Sequence, residues 1–170
     1  MEELENQPCP ICGKNACTLR EEEMDIPYFG KVFVFGIECN SCKFKKSDVE
    51  ISERSEPAKW TFEVENDEDL NVRIIKSSEA VLKIPRIFEM TPGPDSEGFV
   101  SNVEGVILMV KKIIESSIEG EEDKEIKKKG WTMIKKLNKV LVGREKLKII
   151  LEDPSGNSAI ISEKTVKSKL

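Results

Sequence analysis

Cysteines at 9, 12, 39 and 42 set the pattern C-x2-C-x26-C-x2-C, and no other feature restricts the fold of this chain as strongly. Two thiolates three positions apart reach the same ion when the turn between them folds back. Four sulfurs in a closed tetrahedral set leave no ligand position for water, which is the arrangement of structural Zn²⁺. Gly13 lets the chain leave the first turn without a Cβ clash. One structural Zn²⁺ is therefore the expected cofactor, bound by Cys9, Cys12, Cys39 and Cys42. A rubredoxin-like iron site is the rival, because "CPICG" also reads as one half of such a site; Lys43 after the second pair, in place of glycine, weighs against it. Disulfides are the other use of four thiols. The acidic start "MEELENQ" is unlike a secretory leader, so a reducing, cytoplasmic location is expected, where metal is favoured over disulfide. Cys17 stands outside both pairs and reads as a small buried hydrophobe.

The 26 residues between the pairs are more than a minimal zinc module needs and should form their own hairpin. A polar strand leads to a turn at "IPYFG", and the return strand is apolar on both faces, with Val32 and Val34 on one and Phe33, Phe35 and Ile37 on the other. A module this small cannot bury all of that, so one face must meet a second domain or a partner. The ribbon is assigned to residues 1–48 and a second, antiparallel β domain to 49–170. In the second domain "WTFEVE", "LNVRIIKSS" and "AVLKIP" read as strands. Ser101 and Glu104 form a capping box for a helix that ends at Gly120, with Val103, Val106, Ile107, Val110, Ile113, Ile114 and Ile118 inward. A second helix, from about Glu121 to Leu141, turns Ile126, Ile134, Leu137 and Leu141 inward. Together they make a helical hairpin over about 102–141. "LKIILE" should pair with "SAII" across the turn "DPSGN", and the polar tail "SEKTVKSKL" should fray.

Composition excludes several classes of function. The chain has no histidine, which removes the commonest general base, His-activated nucleophiles and every His-ligated metal centre. No 18-residue apolar run is present to span a membrane. The net charge of −5 is unevenly spread, because residues 124–148 hold ten basic and two acidic side chains, a net of +8, and leave −13 on the rest. Such asymmetry marks a docking surface or a solvated helix face.

In chain order, the cysteine pairs enclosing "IPYFGKVFVFGIEC", then "TFEVENDEDLNVRIIKSSEAVLKIP", "TPGPDSEGFVSNVEG" and "LEDPSGNS" resemble the ZPR-type zinc-finger proteins over residues 9 to about 161. Eukaryotic members have two such modules in tandem, and this chain, with one, is similar to the short archaeal members. The resemblance implies a mainly β fold of α+β type: an N-terminal zinc ribbon followed by a double-stranded β-helix domain bearing the helical hairpin. It also implies binding to translation elongation factor 1-alpha, which eukaryotic relatives help to fold. The surfaces for that partner are read from the residues themselves: the aromatic turn Ile26, Pro27, Tyr28 and Phe29, and the helix lysines Lys128, Lys135 and Lys139.

Nucleic acid is the alternative partner, drawn by the same lysines, but stacking aromatics are scarce there, with Trp131 alone in the segment. An enzyme is not expected. The facial triad of a β-helix oxygenase needs two histidines, and the acids of "SEPAKWTFEVENDEDL" read as solvated charge.

Overall fold

The computed structural model describes residues 1–27, 29–52, 56–94 and 96–170. Strands β1 (Glu2–Pro8), β2 (Asn15–Ile26), β3 (Gly30–Cys39) and β4 (Lys45–Ile51) form an antiparallel meander in that order. The two cysteine turns lie at one end of it and the Ile26–Gly30 hairpin at the other, with Cys17 opposite Cys39 in the register. The ribbon sheet continues past residue 48 to Ile51. Alternation along β3 sorts its side chains as expected. Val32, fully buried, packs with Ile26, Val49 and Ile75, and Val34, Ile51, Val100 and Ile161 surround them. Ile75, Val100 and Ile161 belong to later strands, so the second domain covers this face of the ribbon.

The second domain is built from two sheets. One has the order β12-β5-β10-β7-β8, from β5 (Ala58–Val64), β7 (Val81–Ile84), β8 (Phe88–Met90), β10 (Leu147–Asp153) and β12 (Val166–Lys169); the other is β11-β6-β9, from β6 (Arg73–Lys76), β9 (Phe99–Asn102) and β11 (Ala159–Ile161). Leu147, Ile149 and Leu151 alternate inward along β10, the central strand, and join Phe62, Ile74, Leu82 and Ile160 in one core. The architecture is mainly β with two α-helices, α+β in class.

Several local expectations give way here. β11 pairs with β6 and not with β10. The reason lies in the intervening turn: Asp153 accepts the N–H groups of Ser155 (2.7 Å) and Asn157 (3.0 Å) and the Ser77 hydroxyl (3.0 Å), so the turn is tied to the end of β6 and carries the chain across to the other sheet. The tail does not fray, because β12 adds to the edge of β5 and Lys167 lies 4.7 Å above the Trp60 ring. "LN" of the expected long strand belongs to a short 3-10 helix, Glu68–Asn71, whose buried Asp69 is paired with Lys164 at 2.9 Å.

Helix α1 (Val103–Glu119) is capped by Asn102, whose side chain accepts from Gly105 N–H at 2.8 Å. Ser101 is not the cap because β9 runs one residue further, to Asn102, and the helix begins only after that last residue paired with β6. Helix α2 (Lys124–Leu141) is capped by Asp123. Its buried face is Gly130, Ile134, Leu137 and Val140, while Ile126 is 49% exposed and Ile113 of α1 is 39% exposed. Gly130 is the key to that rotation: a Cβ there would come within 2.4 Å of the Ile118 side chain, so the helices approach closely at a residue with no apolar side chain to announce it.

The ribbon is fastened to the second domain by a polar seam. Ser78 donates both its N–H (2.8 Å) and its hydroxyl to the Asp48 carboxylate. Ser47 and Gly98 exchange bonds, the Ser47 hydroxyl to the Gly98 carbonyl at 2.9 Å and Gly98 N–H to the Ser47 carbonyl at 3.0 Å. A Cβ on Gly98 would sit 2.6 Å from Asp48 Oδ1 and 2.8 Å from Val49 N. Gly98→Ala is therefore expected to destabilise the protein by about 1–3 kcal/mol, the usual cost of overpacking. Gly36→Ala, with nothing within 4 Å of the added carbon, should be near neutral. Chemical denaturation of both variants checks the difference, and equal stabilities would refute the close approach.

Candidate metal centre and docking faces

Each cysteine turn is built the same way. Cys9 N–H donates to the Lys14 carbonyl (2.9 Å) and Gly13 N–H to the Cys9 carbonyl (2.9 Å); the second turn repeats this with Cys39 to Phe44 (2.8 Å) and Lys43 to Cys39 (3.0 Å). The residue after each pair takes the left-handed region, Gly13 at φ 70° and Lys43 at φ 64°. Lys43 thus adopts the glycine conformation without being glycine, and its identity says nothing against either metal.

The four sulfurs of Cys9, Cys12, Cys39 and Cys42 all lie within 4.8 Å of one another. Cys9 and Cys42 are 3.6 Å apart and Cys12 and Cys39 3.8 Å. A tetrahedron with metal–sulfur bonds of about 2.3 Å has edges of about 3.8 Å, so the set fits one tetrahedral ion. The Cys12 N–H aimed at the Cys9 sulfur, opposed by burial and reinforced by the Ile11 N–H, lowers the Cys9 thiol to about 6. The Cys42 N–H does the same for Cys39 against its burial, again with a lowered value. Cys9 is thereby set up as a thiolate, the form that binds metal, and Cys39 is shifted in the same direction. Cys17 is fully buried and packs against Cys9 and Cys39, yet it lies outside the group of four, and burial pushes it up to about 12. It stays a thiol at neutral pH and packs as a small apolar residue.

The expected partner-binding residues are placed less uniformly. Ile26 is only 6% exposed and packs with Val32, Val49 and Ile75. It serves the seam between the domains and offers no free anchor. Phe29 is half-buried against the same cluster, Pro27 is exposed, and Tyr28 lies outside the described residues. Lys128, Lys135 and Lys139 are all exposed, and their spacing of seven and four puts them on one stripe of α2. Lys139 and Lys136 share Glu145, at 3.9 and 3.7 Å. Trp131, 49% exposed, stands three residues from Lys128 and four from Lys135, at the edge of that stripe nearest Lys112 and Ile118.

Two surface features have no clear signal in the sequence. An apolar hollow of about 420 Å³ on the ribbon sheet is floored by Leu4, Leu19, Phe35 and Ile37. A groove of about 510 Å³ runs between α2 and the β7–β8 turn, where Arg86 and Ile87 come to face Lys128, Lys129 and Met133. Pro85 marks that turn in the sequence, but nothing there shows that it lies beside α2. Among the described residues no helix is long and apolar enough to cross a membrane.

Comparison with known proteins gives two family matches. A family model described as the ZPR1 zinc-finger domain matches residues 1–57, and one described as the ZPR1 jelly-roll domain matches residues 68–169. A ZPR1-like protein of Methanocaldococcus jannaschii is 42% identical over 96% of this chain and 83% of its own length. A ZPR1-like protein of Pyrococcus horikoshii is 35% identical over the whole of this chain and 78% of its own. The zinc finger chaperone zpr1 of Schizosaccharomyces pombe is 35% identical over 89% of this chain, but only 33% of its own length is covered. The zinc-finger match identifies the ion that the four sulfurs are positioned to bind.

Elemental analysis should find about one zinc per chain. Cys39→Ser should lose the metal and Cys17→Ser should keep it. Lys43→Gly should keep it as well and raise stability by about 1 kcal/mol, since glycine bears the left-handed conformation without strain. Metal retained in the Cys39 variant would refute the ligand set.

Proposed function

This chain belongs to the ZPR1 family, and from that premise we propose that it is a zinc-stabilised docking protein for translation elongation factor 1-alpha, acting in the cytoplasm as a binding partner or folding helper. The proposal covers a ribbon at about 1–48 and a β domain at 49–170, and it treats the chain as a binding module and not as an enzyme. The observation that carries it is the exposed lysine stripe of α2, on a hairpin braced where Gly130 meets Ile118. Charge of one sign on a rigid support is suited to steering a protein partner into one orientation. The fission-yeast relative is named a zinc finger chaperone, which supports a role exerted on other proteins. The closed four-sulfur centre supports it too, since a metal with no open position holds structure and does not activate water.

Both faces enter the reading, with unequal parts. The lysines govern approach, and the ribbon tip, where Pro27 is exposed, supplies apolar contact, with Tyr28 as its expected anchor. Surface plasmon resonance against purified elongation factor 1-alpha tests it. Changing Lys128, Lys135 and Lys139 together to Glu should slow association and flatten its salt dependence. Tyr28→Ala should speed dissociation by roughly tenfold or more if the ring is an anchor. No binding at about 10 μM removes the partner. Binding unchanged by every variant keeps the partner and discards the surfaces.

A further inference from the structure

Arg86 stands at the centre of the three-residue turn between β7 and β8, closed by Ile87 N–H to the Ile84 carbonyl at 3.0 Å. Its φ is 66°, a conformation that glycine or asparagine takes at little cost and arginine does not. The side chain is exposed, and among the described residues it makes no hydrogen bond or ion pair. The fold therefore gains nothing visible from an arginine here, and strain held at a surface turn points to a use outside the fold. Across the groove, Lys128 and Lys129 are likewise exposed without an ion pair among the described residues, and Glu125 is the one acid in the lining.

Between these charges the floor is apolar. Ile87 and Met133 are half-buried and pack on the main core, so they are held in place beneath the rim. The groove, at about 510 Å³, has the size of a site for a compact group, within the roughly 300–1,000 Å³ typical of ligand pockets. A methionine floor adapts to apolar side chains of different shape. The lining contains no aromatic ring, since Trp131 lies in the other cleft, so nothing stacks on a nucleic-acid base.

We propose that the groove between α2 and the β7–β8 turn receives an acidic peptide segment of a protein partner, with a bulky apolar side chain on Ile87 and Met133 and carboxylates on Arg86, Lys128 and Lys129. Arg86, with its planar fork, fixes one carboxylate in two-point contact, and the lysines act as less directional charges. The proposal rests on reading the hairpin as a docking face but not on which protein docks.

Fluorescence anisotropy with the zinc-loaded chain tests it, using three labelled probes: a twelve-residue Glu/Asp peptide with a central Leu-Phe, the same peptide with Ser-Ser in the centre, and a twelve-nucleotide oligothymidine. The Leu-Phe peptide should bind at about 10–100 μM and at least about tenfold more tightly than the other two. Arg86→Gly should weaken it at least about fivefold while the melting temperature holds or rises, because the turn is relieved. Lys129→Glu should weaken it as well. Equal binding of both peptides, tighter binding of the oligothymidine, or indifference to Arg86→Gly each overturns the assignment. The same variants measured against elongation factor 1-alpha separate the two readings. Peptide binding without factor binding leaves the groove standing and removes the partner; factor binding without peptide binding does the reverse.

Discussion

The ribbon is held at both ends by different forces, and the rest of the molecule depends on that. At one end four sulfurs around a metal fix the turns that close β1 to β2 and β3 to β4. At the other, Ile26, Val32 and Val49 pack against Ile75, Val100 and Ile161 of the second domain. A unit of about 50 residues cannot supply a sufficient core from its own side chains, so metal and neighbour each stand in for part of one. Strand β4 links the two anchors. It leaves the second cysteine turn and six residues after Cys42 presents Asp48, whose carboxylate accepts from Ser78 of the second domain. The order of the metal site thereby extends into the seam.

That seam also gathers the family motifs. Lys76, Ser77 and Ser78 of "IIKSSEA", Gly98 of "DSEGF" and Asp153, Ser155 and Ser158 of "LEDPSGNS" are distant in sequence and meet beside Asp48. Lys76 is fully buried, its ammonium bonded to the carbonyls of Ser77 (2.9 Å) and Glu97 (3.3 Å). Burial lowers its pKa, and the Asp153 and Asp48 carboxylates oppose that shift. Burial would raise Asp153, but the donors of Ser158, Ser155 and Ser77 outweigh it and hold the carboxyl below the usual range. A buried network with each member paired favours one arrangement of the two domains over others. Through these bonds residues far apart in the sequence fasten the two parts of the chain together.

What the sequence made legible follows from how local each signal is. The cysteine spacing pointed to the four thiols that cluster, and the two-residue alternation of β3 sorted its side chains onto two faces, because both are set within a few residues. The zinc ribbon, the β domain and the helical hairpin were all legible at that level. The partner of "SAII" was not, because Asp153 ties the turn to Ser77, 76 positions away. The α2 face was misread at Ile126 because a close contact is made by Gly130, which contributes no hydrophobicity to a periodic pattern. The cap was displaced by one residue because β9 runs on to Asn102. Ile26 was read as exposed because a turn residue gives no sign of the neighbouring domain that covers it.

The charge distribution then acquires a structural meaning. Residues 124–148 carry +8 and the remainder −13, yet the seam sets Lys76 against Asp153 and Asp48 and the ribbon pairs several of its own charges, as Glu38 does with Lys45 at 2.7 Å. Most of the basic excess, seven lysines against Glu125, is left on α2, a helix whose inner face is pinned by Ile134, Leu137 and Val140. Fields of this kind decay within about 10 Å at moderate salt, so they direct a partner's approach without holding it. Holding requires apolar surface that the fold has not used. On the helical side that surface is the floor of Ile87 and Met133, and it lies directly under the rim where the positive charge is concentrated. In the proposed reading steering and retention converge on one groove, because Lys128 belongs both to the lysine stripe and to the lining that Arg86 completes, although 42 positions separate the two.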